Sequence, residues 1–176
     1  MSGLLNQEYQ VLLNQAPTLV NTDGDQEWHD EHGGFHRNFD LPAVIQKNGT
    51  KQWFKHGYPH RGGGLPAVEW LDGDREWYLN GQLHRDGNLP AIEYANGLHA
   101  WYVNGELHRG GNLPAIEQAN GDREWWVNGK RHREGDQPAV EKANGDREWW
   151  VTGNRHRDGN LPTIELAIKL ANGDRK

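Results

Sequence analysis

A His-Arg pair recurs six times in this chain, at His36-Arg37, His60-Arg61, His84-Arg85, His108-Arg109, His132-Arg133 and His156-Arg157, always 24 residues apart. Everything between the pairs keeps register: prolines fall at 42, 66, 90, 114, 138 and 162, glycines at 49, 73, 97, 121 and 145, and tryptophans at 53, 77, 101, 125 and 149. A fixed period of this length marks a repeat architecture, in which each unit buries its apolar surface against its neighbours only. A residue present in every unit is therefore structural, and function is sought where the units differ.

The period also changes how the composition reads. An apolar content of 34% with a mean hydropathy of −1.00 would suit a disordered chain if the apolar residues were scattered. They are not scattered, and nine of them are Trp, which predicts a thin, aromatic-rich core. The net charge of −6, with both signs mixed, gives no basic footprint for duplex nucleic acid. The absence of Cys excludes disulfides and thiolate metal sites. The longest apolar runs, such as Val11-Leu12-Leu13, are far too short for a membrane span, and the default compartment is the cytoplasm.

From Pro114 one unit reads Pro-Ala-Ile-Glu-Gln-Ala, Asn-Gly, Asp-Arg-Glu-Trp-Trp-Val, Asn-Gly, Lys-Arg-His-Arg, then the polar connector Glu134-Gly135-Asp136-Gln137. Asn-Gly between β-compatible segments signals a hairpin, since a type I′ turn needs positive φ at both central residues. The expected fold class is all-β. Each unit is one hairpin plus a returning arm, and successive units form a single-layer, elongated antiparallel sheet roughly 60 Å long. Pro belongs at the first position of a strand because it offers no N–H, so units begin at each periodic Pro. Residues 17–176 then hold about six and a half units, with a divergent first unit at 17–41 and an insertion around Leu166–Leu170 in the last. Leu4, Leu5, Tyr9, Leu12 and Leu13 recur at helical spacing in residues 1–16, which predicts a short N-terminal helix capping the open end of the sheet. A partner-docking helix is the alternative.

Strand alternation puts Arg123, Trp125 and Val127 on one side and Glu124, Trp126 and Asn128 on the other. The unvaried Trp column is expected to face inward, stacked on Ile/Val at 44, 68, 92, 116, 140 and 164. The second column, Phe54, Tyr78, Tyr102, Trp126 and Trp150, is always aromatic but varied, and is expected to form a half-exposed stripe.

The string Trp-Tyr/Trp-x-Asn-Gly-x-x-His-Arg-x-Gly-x-x-Pro-Ala-Ile/Val-Glu resembles tandem repeats in proteins of bacteriophages and large DNA viruses. It is also similar to variant MORN-type repeats, in which Asn-Gly hairpins with aromatic strands build a rolled single-layer sheet. The resemblance covers 17–176. It departs from ordinary MORN units, which are richer in Tyr-x-Gly and Gly-x-Gly and lack the His-Arg pair. It implies a fold and a general role in protein binding, as in bacterial antitoxins with such repeats, and no catalytic residues.

Six His-Arg pairs could hold metal, but equivalent His in successive hairpins lie two strand spacings apart, roughly 10 Å, whereas imidazoles sharing zinc need nitrogens within about 4 Å. The structural alternative has each His bonded to the connector and packed on an aromatic, with each Arg paired to the Glu column at 69, 93, 117, 141 and 165. One cluster does not repeat: His29, Asp30, Glu31, His32 and His36, with His56 and His60 one unit on. Its His29, His32 and His36 are weak metal candidates, and no cofactor is expected. Gly-rich strings such as Gly62-Gly63-Gly64 lack a following helix, and no nucleophile motif or P-loop is present, so an enzyme is a distant third reading.

Phe54, Tyr78, Tyr102, Trp126 and Trp150, flanked by Arg85 and Arg109, have the composition of interface hot spots. The expectation is a protein partner bound without catalysis, with an inhibitor of a host defence protein, acting in the host cytoplasm, as the viral form. The competing class is a protein that sequesters a small nucleotide-type ligand, since aromatic faces beside Arg and His suit stacked bases and their phosphates. No duplex nucleic acid or membrane partner is expected.

Overall fold

The computed structural model describes residues 16–157, 159 and 161–167. Apart from a 3-10 residue at Gly159, the regular structure in these residues is β, in strands of two residues each, and no α-helix occurs among them. The N-terminal helix expected over 1–16 and most of the last unit's insertion lie outside the described residues.

In the unit that opens at Pro90, Ile92–Glu93 pairs with His99–Ala100, and Tyr102–Val103 pairs with Glu106–Leu107. Among the described residues, the first hairpins of six units and the opening strand of the last join into one antiparallel sheet of thirteen strands in chain order, from Leu19–Val20 to Ile164–Glu165. The second hairpins form five separate two-stranded pairs. The returning arm is thus a hairpin of its own, a departure from the single hairpin per unit read from the sequence. The cause sits at the invariant Trp. Trp101 donates its backbone N–H to Ala115 of the next unit (2.8 Å), while its carbonyl accepts from His108 of its own unit (3.0 Å). One residue therefore changes pairing partner between its N–H and its C=O, which ends the first strand and starts the second hairpin.

The two Asn-Gly sites also differ. Asn128 and Gly129 are both left-handed (φ 48° and 69°), as a type I′ turn requires. At Asn120-Gly121 only Gly121 is left-handed (φ 93°). There Gln118 N–H bonds Asp122 O (3.0 Å) and Gly121 N–H bonds Gln118 O (2.9 Å), closing a three-residue loop with a glycine bulge. Asn120 instead accepts the Asp122 N–H on its side chain (2.9 Å).

Register sorts the side chains into two rows. One row carries Lys51, Glu69, Arg75, Glu93, His99, Glu117, Arg123, Glu141, Arg147 and Glu165, in which Glu69, Glu93, Glu117 and Glu141 are each set between bases on the adjacent strands. Directly opposed charges of opposite sign stabilise such pairs modestly. The other row alternates Val68, Glu76, Ile92, Ala100, Ile116, Glu124 and Val140. The Val/Ile positions stand opposite Glu76, Ala100 and Glu124; antiparallel pairing puts Ile116 opposite Glu124, one residue before Trp125. Both sets are nevertheless in the core. Trp28, Trp53, Trp77, Trp101, Trp125 and Trp149 are buried, as are Ala67, Ala91, Ala115 and Ala139 and the Val/Ile positions 44, 68, 92 and 140.

Candidate binding grooves

Each invariant Trp is held on three sides. Its indole N–H donates to a carbonyl in the preceding connector: Trp53 to Asp40, Trp77 to Gly64, Trp101 to Asn88, Trp125 to Asn112 and Trp149 to Asp136, at 2.8–3.1 Å. Its ring face is covered by the Arg of its own unit's His-Arg pair, from Arg37 over Trp28 to Arg157 over Trp149, with the guanidinium carbon 3.6–3.7 Å from the ring centroid. The Arg NH1 then donates to the next Pro carbonyl and to the next unit's Glu, as in Arg85 to Pro90 O (3.1 Å) and to Glu93 (2.6 Å). The same ion pair joins Arg61 to Glu69, Arg109 to Glu117, Arg133 to Glu141 and Arg157 to Glu165. The Arg column thus pairs with the Glu column as the sequence suggested, and its apolar partner is the invariant Trp.

The His column makes the connector bond expected and an inter-unit bond besides. Nδ1 of His60, His84 and His108 accepts the backbone N–H of Asn80, Asn104 and Asn128, the turn residue of the following unit (3.1–3.3 Å). That leaves the ring proton on Nε2, where His84 donates to Asp86 and His36 to Asn38, both at 3.1 Å. These are the connector bonds foreseen from sequence, but the inter-unit bond was invisible there.

Between successive units lies a groove, floored by a connector and flanked by two His-Arg pairs. Among the described residues five such grooves are seen, with volumes from about 170 to about 500 Å³. The predicted residues Phe54, Tyr78, Tyr102, Trp126 and Trp150 each line one and are half-buried, and Arg85 and Arg109 line the grooves beside them. The structure therefore gathers every predicted binding residue along one row of grooves. Several of the aromatics are anchored: Trp126 and Trp150 donate their indole N–H groups to Glu124 and Glu148, and Arg131 lies between the two rings, 5.1 and 5.3 Å from their centroids.

Sequence reasoning missed the aliphatic walls. Leu65, Leu79 and Leu89 line one groove and Leu89, Val103 and Leu113 the next, all exposed. Because Leu89 belongs to both, the apolar stripe is continuous from one groove to the next. The signal existed: Leu precedes five of the six periodic Pro, with Gln137 the exception, and Leu or Val follows four of the five second aromatics, with Lys55 the exception. Alternation put Val127 on the face of Trp125, and both line one groove together with Trp126.

Glu76 is 9% exposed and accepts hydroxyls from Tyr78 (2.7 Å) and Tyr94 (2.9 Å). Burial, and then the bond to Glu76, push Tyr94 up to about 12 and raise Tyr78 well above the ordinary phenol range. Burial also raises Tyr102. In the first unit His29, His32 and His36 do not converge. His29 bonds Thr18 (2.8 Å), His32 sits beside Glu31 on the surface, and His36 stacks on His56 with ring centroids 4.2 Å apart. Asp30, bonded by His56 and by the Gly34 N–H, is held down to about 2. No group of three His, Cys, Asp or Glu side chains suited to a metal occurs among the described residues, and none of their helices is long and apolar enough to cross a membrane. Compared with known families and curated proteins, the chain matches no family model and no curated sequence.

Proposed function

We propose that this chain is a non-catalytic protein-binding array that takes a partner along the row of inter-unit grooves. The observation that carries this reading is the continuous exposed stripe of Leu65, Leu79, Leu89, Val103 and Leu113 beside the half-buried aromatics. Contiguous apolar surface of this kind, rimmed by polar groups, is characteristic of interaction sites. We read the array as an elongated, single-layer member of the variant MORN type. Neighbour-only pairing in the thirteen-stranded sheet supports this. The resemblance to phage and large-DNA-virus repeats makes an inhibitor of a host defence protein, acting in the host cytoplasm, the preferred setting.

The nucleotide-sequestering reading has less support. Among the varied aromatics that would stack bases, Tyr78, Trp126 and Trp150 are already bonded to Glu76, Glu124 and Glu148, and those carboxylates would repel a phosphate held beside the rings. Affinity capture from host-cell lysate with mass spectrometry tests the proposal. Wild type should retain one protein partner, and Leu89→Asp or Tyr102→Ala should release it while leaving the melting temperature nearly unchanged. Release of an ultraviolet-absorbing small molecule from heat-denatured protein, with no protein retained, would establish the sequestering reading instead.

A further inference from the structure

One groove in the row already holds a carboxylate, supplied by the chain itself. Asp40, in the first connector, binds the outer edge of Arg61 in bidentate fashion, Nε to Oδ1 and NH2 to Oδ2, both at 2.9 Å. The Arg61 NH1 faces the other way, to Pro66 O and Glu69. The guanidinium therefore has an inner edge used by the fold and an outer edge turned to the groove, and a carboxylate fits the outer one.

One unit on, the residue matching Asp40 is Gly64, identified by its carbonyl, which accepts the Trp77 indole N–H as the Asp40 carbonyl accepts that of Trp53. Arg85 keeps the inner edge, NH1 to Pro90 O and Glu93, and its Nε and NH2 make no hydrogen bond with the described residues. Its connector, Gly62-Gly63-Gly64, presents no side chain at all, and a Cβ at any of the three would meet nothing within 4 Å. Elsewhere the edge is partly met or unmet. Arg109 Nε has a long bond to Asn88 (3.4 Å), and Nε of Arg133 and of Arg157 is buried with no hydrogen-bond partner among the described residues, although Asp136 stands at the position matching Arg157.

We propose that the groove over Gly62-Gly63-Gly64 is a carboxylate-binding site, in which the outer edge of Arg85 takes an acidic side chain of a protein partner. The inference rests on the protein-binding reading and specifies its chemistry. A planar guanidinium fixed on Trp77 is pre-organised for a planar, two-oxygen acceptor, and charge-assisted bidentate pairs are the strong ones. Leu65, Leu79 and Leu89 line the same groove of about 170 Å³, so the fitting ligand is an acid flanked by apolar side chains. Recognition depends on this geometry and not on the surrounding field: Glu93 already faces Arg85, and Asp86, 97% exposed and bonded to His84, stands at the rim.

The test uses the full chain and two synthetic peptides, acetyl-Leu-Glu-Leu-amide and acetyl-Leu-Gln-Leu-amide, followed by the NMR signals of the Arg85 Nε–H and the Trp77 indole N–H. The Glu peptide should shift both in a saturable way and bind about ten-fold more tightly than the Gln peptide, the worth of one charge-assisted pair. Gly64→Asp copies Asp40, which is left-handed (φ 54°) like Gly64 (φ 71°), and should abolish the shift with the fold intact. Asp40→Gly should open a second site, reported by the Arg61 Nε–H. Equal binding of the two peptides, no binding of either, or undiminished Glu-peptide binding to Gly64→Asp would each overturn the proposal. Inorganic phosphate shifting Arg85 where the Glu peptide does not would overturn it in favour of a phosphate ligand. A protein partner lost by Tyr102→Ala but unaffected by Gly64→Asp would remove this site and leave the protein-binding reading standing.

Discussion

Arg109 lies flat over Trp101, its guanidinium carbon 3.6 Å from the ring centroid, while the same guanidinium donates to Pro114 O and Glu117 of the following unit. One side chain thus covers the core of its own unit and ties that unit to the next. Trp101→Ala should cost roughly 3–5 kcal/mol in chemical denaturation, as a buried aromatic does. Arg109→Ala should cost about 1–3 kcal/mol, from the stack and the charge-assisted bonds. The double variant should lose clearly less than the sum. Strict additivity would mean that the stacked pair carries no coupling energy.

The glycines of the first hairpins are not equivalent. A Cβ at Gly97 would stand 2.7 Å from the Ala119 Cβ, whereas at Gly121 it would stand 3.7 Å from that of Ala143. Both are left-handed, so Ala pays the same backbone cost of about 1–2 kcal/mol at either. Gly97→Ala should lose about 1–3 kcal/mol more, from overlap with the next unit. Equal midpoints in urea for the two variants would show that the units slide apart freely at this loop.

Asp122 accepts the Ala143 N–H at 2.8 Å and a bond from Lys142 at 3.1 Å, and the backbone bond is the main reason its carboxyl lies below the usual range. The folded protein therefore binds fewer protons here than the unfolded chain. The resulting stability is complete above the ordinary Asp value near 4 and is lost as pH falls through the depressed folded value. Asp122→Asn keeps an acceptor but cannot titrate, so its stability should fall less steeply than wild type between about pH 5 and 2. Parallel acid curves would show that the carboxylate charge plays no part in joining these loops.

Tyr94 and Tyr78 respond at the other end of the pH scale. Burial first, and Glu76 second, hold both phenols protonated, Tyr94 up to about 12. Raised phenol values mean that this contribution is intact at neutral pH and disappears as the solution passes above about pH 10, where the unfolded chain ionises. Glu76→Ala should bring the phenolate absorbance of both residues to lower pH, though not all the way, because burial remains. An unchanged ultraviolet titration would leave desolvation as the sole cause.

Much of this protein was decided locally and can be read along the chain. The 24-residue register, the Asn128-Gly129 turn and the burial of the Trp column each depend on one residue type placed where its backbone or its apolar area demands it, whereas Pro90 stands two residues before the strand Ile92–Glu93 and not at its first position as expected. The pairing of Arg with Glu followed from two columns repeating together. Other features were settled only by the third dimension. Nothing in the sequence around Trp101 says that its N–H and C=O will serve different strands, because that choice belongs to Ala115 in the next unit. The Val/Ile row lies beside Glu76 and Glu124 because cross-strand register, not alternation along one strand, sets neighbours. The carboxylate seat shows the same division. Gly64 was legible as a connector glycine, but only the packing of one unit on another shows that it leaves open the edge of Arg85 that Asp40 fills on Arg61. Side chains 21 residues apart in a repeat meet through stacking, and that meeting depends on inter-unit geometry that no single unit encodes.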